Sequence, residues 1–269
     1  MKPEILRKLC VASRTGLIVF SLLAAPAVAA EGIASDADSP VAGITYASYA
    51  SPEQQMRTRD ALMRRPAGTV EWSAKIAYAD GEIFNPATGK MDRVRLRSYQ
   101  GTGVDPDVPF VPPAINLRPG DTFLFNLENA LPADDPSCIH HDDINIPHCF
   151  NTTNMHVHGV WVSPAGNSDN VLLSLAPGAN FTHEYNIPSD HPAGTFWYHP
   201  HTHGSTALQV SSGMGGPLII RGERLPGPDH RGDIDTLLRS PDGAPIGERI
   251  LTLTQIAYAC GPRQEDGSI

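Results

Sequence analysis

Two His-x-His pairs are the residues of this chain best suited to binding a metal. They are His156 with His158, and His199 with His201. Side chains two positions apart in a β-strand point to the same face, with Cα atoms about 6 to 7 Å apart. Neutral imidazole is a ligand for copper, zinc, nickel and iron, and copper binds such sites most tightly. If the two pairs lie on neighbouring strands, we expect four imidazoles to converge on one place.

The elements that must position these pairs are predicted to be short β-strands. The 269 residues include 24 Gly and 25 Pro, and short apolar or alternating runs recur between turn signals at roughly ten-residue spacing. The predicted strands are 70–79, 91–99, 110–116, 122–128, 155–163, 171–175, 179–187, 194–201, 217–221 and 249–259. Asp80-Gly81 and Asn85-Pro86 are turn signals between the first two, and the prolines in 110–116 suit an edge strand. The pattern predicts an all-β sandwich or Greek-key barrel.

The N-terminus carries the features of a secretion signal, residues 1–29. Basic residues precede a short apolar run, Gly16–Ala25, and Ala27-Val28-Ala29 supplies the small residues of a cleavage site. An uncleaved anchor is the alternative, although the run is short for a membrane span. Removing the signal takes the formal charge from −9 to −12, which argues against nucleic acid or anionic membrane as a partner. We expect a secreted or periplasmic protein, free of the membrane after cleavage.

The cysteines divide into a pair and an odd residue. Cys138 and Cys149 bracket a polar loop and would lie in an oxidising compartment, so we expect a disulfide between them. Cys10 leaves with the signal. Cys260 has no evident partner, a first indication that the chain is incomplete.

Two other metal sites deserve comparison with the His-x-His pairs. The loop between Cys138 and Cys149 holds three further histidines among several aspartates, which are His140, His141 and His148; a weak metal site or an ordinary solvated loop would both explain them. His148, Cys149, Met155 and His156 superficially supply the Cys, two His and axial Met ligands of a blue-copper site. The expected disulfide and the His-x-His pair use these residues better.

Several motifs together resemble those of the multicopper oxidases. The segments FVPPAINLRPGD (110–121) and NAL (129–131) resemble the family's opening signature. HVHG (156–159) resembles its first His-x-His motif, and AGTFWYHPHTHG (193–204), followed by GMGGPLII (213–220), resembles its second. The resemblance covers roughly residues 66–222 and is closer to bacterial copper-resistance and laccase-like oxidases than to fungal ones. It implies a cupredoxin-like fold and copper as the cofactor.

The resemblance also implies a role for each residue of the motifs. His156 would bind the type 2 copper, and His158, His199 and His201 would bind the type 3 pair. Asp169, in the Ser-Asp-Asn sequence at 168–170, would be a proton relay for dioxygen reduction; a simple turn residue is the alternative. His203 would lie outside the direct ligands.

The domain organisation follows from the same comparison. Residues 1–29 are the signal peptide, 30–65 a poorly ordered extension, and 66–222 a cupredoxin-like domain with both His-x-His motifs. Residues 223–269 are predicted to be a linker and the first strand of a second, truncated cupredoxin domain. The sequence has no His-Cys-His, no third His-x-His motif and no type 1 copper site. We therefore expect half of a trinuclear cluster, which needs C-terminal cupredoxin domains to complete it.

The functional prediction is the N-terminal part of a copper-dependent oxidase. Such an enzyme takes single electrons from a small phenol-like or metal-ion donor and reduces dioxygen to water. The alternative is a non-enzymatic module that binds or sequesters copper. A zinc hydrolase of the amidohydrolase type also uses His-x-His, but its fold alternates strands with helices, and the segments between these strands have no helical periodicity.

Overall fold

The regular secondary structure of the described residues is mostly β-strand, with a few short helices. The computed structural model describes residues 66–139, 149–229, 231–244 and 246–258. The eight strands are β1 (Thr69–Asn85), β2 (Lys90–Gly101), β3 (Ile115–Leu117), β4 (Thr122–Asn129), β5 (His156–His158), β6 (Asn180–Asn186), β7 (Gly194–His199) and β8 (Gly216–Ile220). The helices are a 3-10 turn (Pro136–Cys138), α1 (Thr206–Ser211) and α2 (Ile234–Leu237). The eight strands form two four-stranded sheets, ordered β2-β1-β4-β6 and β3-β8-β7-β5. This arrangement confirms the predicted all-β sandwich.

The first sheet has the longer strands. β1 pairs antiparallel with β2 and parallel with β4, and β4 pairs antiparallel with β6. The prediction of a turn at Asp80-Gly81 is wrong, because β1 continues through these two residues and Gly81 pairs with Val94. This glycine is required by packing instead: a Cβ atom there would lie 2.5 Å from Cε2 of Phe110. The chain reverses only after Asn85, where the second turn signal lies.

Aromatic side chains join the two sheets. Alternate residues of β4 face inward, as its pattern predicts, and Phe123 and Phe125 are fully buried. Trp72 of β1 stacks on Phe125 with ring centroids 4.7 Å apart and meets Tyr198 of the second sheet edge-on at 5.3 Å. The indole N–H of Trp72 donates to the carbonyl of Thr102 at 2.8 Å, so its polar atom is satisfied inside the core.

The second sheet is made of short strands and carries the histidine pairs. β3, in the region where prolines suggested an edge strand, does lie at the edge of this sheet. The strand predicted over 155–163 contains only His156–His158. It ends at Gly159, whose φ of 83° belongs to the left-handed region that only glycine adopts readily. The strand predicted over 171–175 is reduced to a single bridge between Leu175 and Thr153.

The two remaining expectations concern the cysteines and the C-terminal segment. Cys138 and Cys149 form the expected disulfide. The described part of the segment 249–259 is not a strand. The backbone N–H of Ala257 in this segment donates to the carbonyl of Ser211 at 3.0 Å, and Leu251 and Leu253 are exposed. A strand needs a partner strand, and none of the eight strands pairs with this segment.

The N-terminal predictions, residues 1–29 and 30–65, lie outside the described residues, as do His140, His141, His148 and Cys260. Within the part of the chain that is described, no helix is long and apolar enough to cross a membrane.

Candidate metal centre

The pairing of β5 with β7 brings the two histidine pairs together. In this antiparallel pair His156 lies opposite His199, and His158 lies opposite Trp197. Residues directly opposite each other share a face of the sheet, and Val157, between the two histidines, turns the other way into the core. The imidazoles of His156, His158 and His199 therefore lie on one side of the second sheet.

Three of the imidazoles form a compact donor set. One ring nitrogen each from His156, His158 and His199 lies within 4.8 Å of the other two. The ring of His201 lies beside this set, with its centroid 5.1 Å from that of His156 and 5.8 Å from that of His199. The four predicted histidines are thus neighbours, with three of them close enough to share one metal ion.

The hydrogen bonds of the rings leave nitrogen lone pairs without a partner. Nδ1 of His199 lies 2.8 Å from the carbonyl of Pro200, so it carries the proton and Nε2 carries the lone pair. Nε2 of His199 is buried and has no hydrogen-bond partner among the described residues. Nδ1 of His201 is likewise buried and has no partner there. Buried polar atoms are normally satisfied, so these two nitrogens fit a metal ligand role, and an all-imidazole set suits copper.

Burial keeps His199 neutral. The pKa of its imidazole is lowered to about 4, mainly by desolvation; the neighbouring rings of His156, His201 and His158 add to the lowering, and the bond to the Pro200 carbonyl opposes it. A neutral imidazole is the form that binds metal. The lone pair of His199 is therefore available throughout the neutral pH range.

Asp169 lies directly behind His156. Its carboxylate oxygens are 2.9 and 3.0 Å from Nδ1 of His156, and Oδ1 also accepts the backbone N–H of Val157 at 3.0 Å. Nδ1 of His156 therefore carries the proton, which leaves Nε2 free to bind. A carboxylate on the far nitrogen of a ligating histidine fixes the ring and raises its basicity.

Two residues that the sequence reasoning missed also border the site. The indole of Trp197 stacks on His199, with ring centroids 4.0 Å apart, and on His158 at 5.2 Å. The side chain of Asn154 accepts the backbone N–H of His201 at 2.6 Å. The register of β5 against β7 would have identified both, but a single sequence does not give that register.

The other candidate ligands lie elsewhere. His203 is exposed, beyond the end of β7. The blue-copper set is contradicted because Cys149 is bonded to Cys138 and Met155 is buried in the core.

Comparisons with known proteins show that this region is similar to multicopper oxidases. A multicopper oxidase family model matches residues 145–224. Laccase-1 of Fomitopsis schrenkii is 26% identical over 152 residues, which are 54% of this chain and 24% of that protein. The iron transport multicopper oxidase FET3 of Saccharomyces cerevisiae is 37% identical over 78 residues, 28% of this chain and 11% of that protein.

Solved structures give similar partial matches. A multicopper oxidase from Pseudomonas thermotolerans matches 58% of this chain and 30% of its own, with 24% identity and a TM-score of 0.38. Fet3p, described as a multicopper oxidase that functions in iron import, matches 59% and 24%, with 21% identity and a TM-score of 0.40. The chain spans about a quarter or less of the length of the two curated relatives named above. The segment 145–224 that matches the multicopper oxidase family model holds both histidine pairs.

Proposed function

We propose that this chain supplies half of the copper cluster of an oxidase. That enzyme would couple one-electron oxidation of a small donor to four-electron reduction of dioxygen to water. The observation that carries the proposal is the set of three imidazole nitrogens within 4.8 Å on two paired strands. Relatives that include laccases and an iron transport oxidase support a phenol-like or metal-ion donor.

In this proposal each histidine has one role. His156 would hold the type 2 copper, and His158, His199 and His201 would hold the type 3 pair, as the resemblance to the family's motifs implies. Bound copper would supply the electron transfer to dioxygen. The unpartnered buried nitrogens of His199 and His201 support this ligand set.

Residues around the histidines orient the imidazoles and shield them from water. Asp169 keeps the proton of His156 on Nδ1, and its carboxylate is the candidate proton relay, since it is 13% exposed and one hydrogen bond from a ligand. Trp197 covers one face of His199 and limits the access of water to it. The remaining ligands and the type 1 copper would come from C-terminal cupredoxin domains, and export would depend on the signal at residues 1–29.

A copper-binding module without turnover is the second candidate. It is favoured by the donor set itself, because three histidines of one chain already suffice for one copper ion. Both candidates predict no turnover by the 269-residue chain alone, and dioxygen reduction by that chain would contradict both.

If the proposed metal centre is correct, replacing His199 should weaken copper binding. Because Trp197 stacks on two of the ligands, bound Cu(II) should quench its fluorescence, and a titration of the full chain measures the affinity. We expect His199→Ala to weaken Cu(II) binding by about 100-fold, since one ligand and its lone pair are lost.

The matched control is His203→Ala, which removes an exposed histidine outside the donor set. It should bind Cu(II) like the unaltered chain. Equal losses in the two variants, or no loss in either, would rule out the proposed centre.

Replacing Asp169 with asparagine should weaken copper binding without removing a ligand. The amide keeps the shape of the side chain but loses the negative charge that faces Nδ1 of His156. We expect about 10- to 100-fold weaker Cu(II) binding, as for other outer partners of ligating histidines. Asp190→Asn, which removes the same charge from an exposed position, is the control for net charge, and an equal effect of both variants would argue against a specific role.

A further inference from the structure

We propose that Asn154 is a positioning residue, whose side-chain amide fixes the second histidine pair relative to the first. The inference rests on the proposed metal centre, because His201 belongs to that centre. Asn154 is fully buried and precedes His156 by two residues. If the pairing of β5 with β7 continued, Asn154 would lie directly opposite His201.

The β-ladder ends before it reaches His201. β7 ends at His199, and Pro200 has no backbone N–H to extend the pairing. The antiparallel register that places His156 opposite His199 would next place Asn154 opposite His201. At this position the side-chain Oδ1 of Asn154 accepts the N–H of His201 at 2.6 Å. The side chain therefore replaces a ladder hydrogen bond where the ladder has stopped.

The other end of the same amide holds the segment that follows Asp169. Nδ2 of Asn154 donates to the carbonyls of Leu173 at 2.9 Å and Val171 at 3.2 Å. Both amide hydrogens and the carbonyl oxygen are thus in use, and the orientation of the amide is fixed by three backbone groups. One side chain joins the start of the first motif, the end of the second, and the chain that leaves Asp169.

Other buried amides brace the same region without touching the centre. Asn129 of β4 donates through Nδ2 to the carbonyls of Asn151 at 2.8 Å and Leu175 at 2.9 Å. Gln209 of α1 donates to the carbonyls of Phe150 and Thr152. The segment from Asn151 to Met155 is buried but is not in a strand, so side-chain amides satisfy its backbone groups. Asn129 offers a matched control, since it has the same chemistry and burial but no bond to a histidine motif.

The test compares Asn154→Ala with Asn129→Ala in the full chain. Both variants should lower the free energy of unfolding, since each leaves buried carbonyls without donors. Only Asn154→Ala should weaken Cu(II) binding, by about 10- to 100-fold, and alter the EPR signal of the bound Cu(II). A loss of affinity in Asn129→Ala as large as that in Asn154→Ala, or an unchanged affinity and spectrum in Asn154→Ala, would overturn the inference.

Hydrogen exchange tests the contact without copper. In the unaltered chain the amide of His201 should exchange as slowly as the amides of β7, although it lies outside the strand, and Asn154→Ser should make it exchange faster. Rapid exchange in the unaltered chain would overturn the inference even if Asn154→Ala does not fold. If the unaltered chain protects this amide but binds no Cu(II), the metal centre itself fails, and the positioning role fails with it.

Discussion

Replacing Trp72 with alanine is expected to lower the free energy of unfolding by about 3 to 5 kcal/mol, the range for removing a large aromatic side chain from a core. The ring is 5% exposed and lies between the two sheets, against Phe125 of the first and Tyr198 of the second. The substitution removes these contacts and also the indole donor to the Thr102 carbonyl. Because small domains have a total stability of about 5 to 15 kcal/mol, the variant should be folded only marginally.

Trp161→Ala is the matched control. The same side chain is removed, but Trp161 is 57% exposed, with its ring against that of His191 at a centroid distance of 5.2 Å. We expect a loss of less than about 1 kcal/mol. Urea unfolding followed by circular dichroism measures both variants without relying on tryptophan fluorescence. Similar losses in the two variants would mean that the stack between the sheets does not hold them together.

The sequence was most informative where a single strand carries its own pattern. The alternation over residues 122–128 predicted β4 and its inward-facing phenylalanines, because that pattern depends only on the pleat of one strand. The shared face within each His-x-His pair was equally predictable, since it depends only on the two-residue repeat of a strand. The disulfide was also predictable, because Cys138 and Cys149 are close in sequence.

Features that depend on two distant segments were not predictable in this way. The chain does not turn at Asp80-Gly81 as expected, because both residues pair with β2 and Phe110 packs against Gly81. The length of β5 is set by Gly159, although the apolar run continues beyond it. The contact of Asn154 with His201 spans 47 residues and exists only in one register. For the same reason Trp197 could not be placed on the histidines before the pairing of β5 with β7 was known.

The fully buried His183 predicts a loss of stability in acid. It lies on β6 between Phe125 and Tyr185, with ring centroids 6.0 and 5.7 Å away, and neither ring nitrogen has a hydrogen-bond partner of good geometry among the described residues. Burial lowers the pKa of its imidazole to about 4, although the nearby backbone of Ser168 and the charge of Asp169 act in the opposite direction. The histidine is therefore neutral in the folded protein.

The lowered pKa fixes the sign and the pH range of the effect. The unfolded chain protonates this histidine near its ordinary pKa of 6.5, whereas the folded protein does so only near 4. Between these values the unfolded state binds more protons, so stability is full above pH 6.5 and falls as the pH falls toward 4. The loss from this group reaches about 3 kcal/mol at pH 4, since each unit of pKa is worth about 1.4 kcal/mol.

His183→Phe isolates this contribution. Phenylalanine fits an aromatic surrounding and does not titrate, whereas other acid-sensitive groups, such as Asp135 and Asp233 with their lowered pKa values, are common to both proteins. The difference in unfolding free energy between the variant and the unaltered chain should therefore grow in favour of the variant by about 3 kcal/mol from pH 7 to pH 4. Urea unfolding at closely spaced pH values measures this difference. Parallel stability profiles over that range would mean that His183 gains a proton in the fold as readily as in the unfolded chain, and that burial does not control its charge.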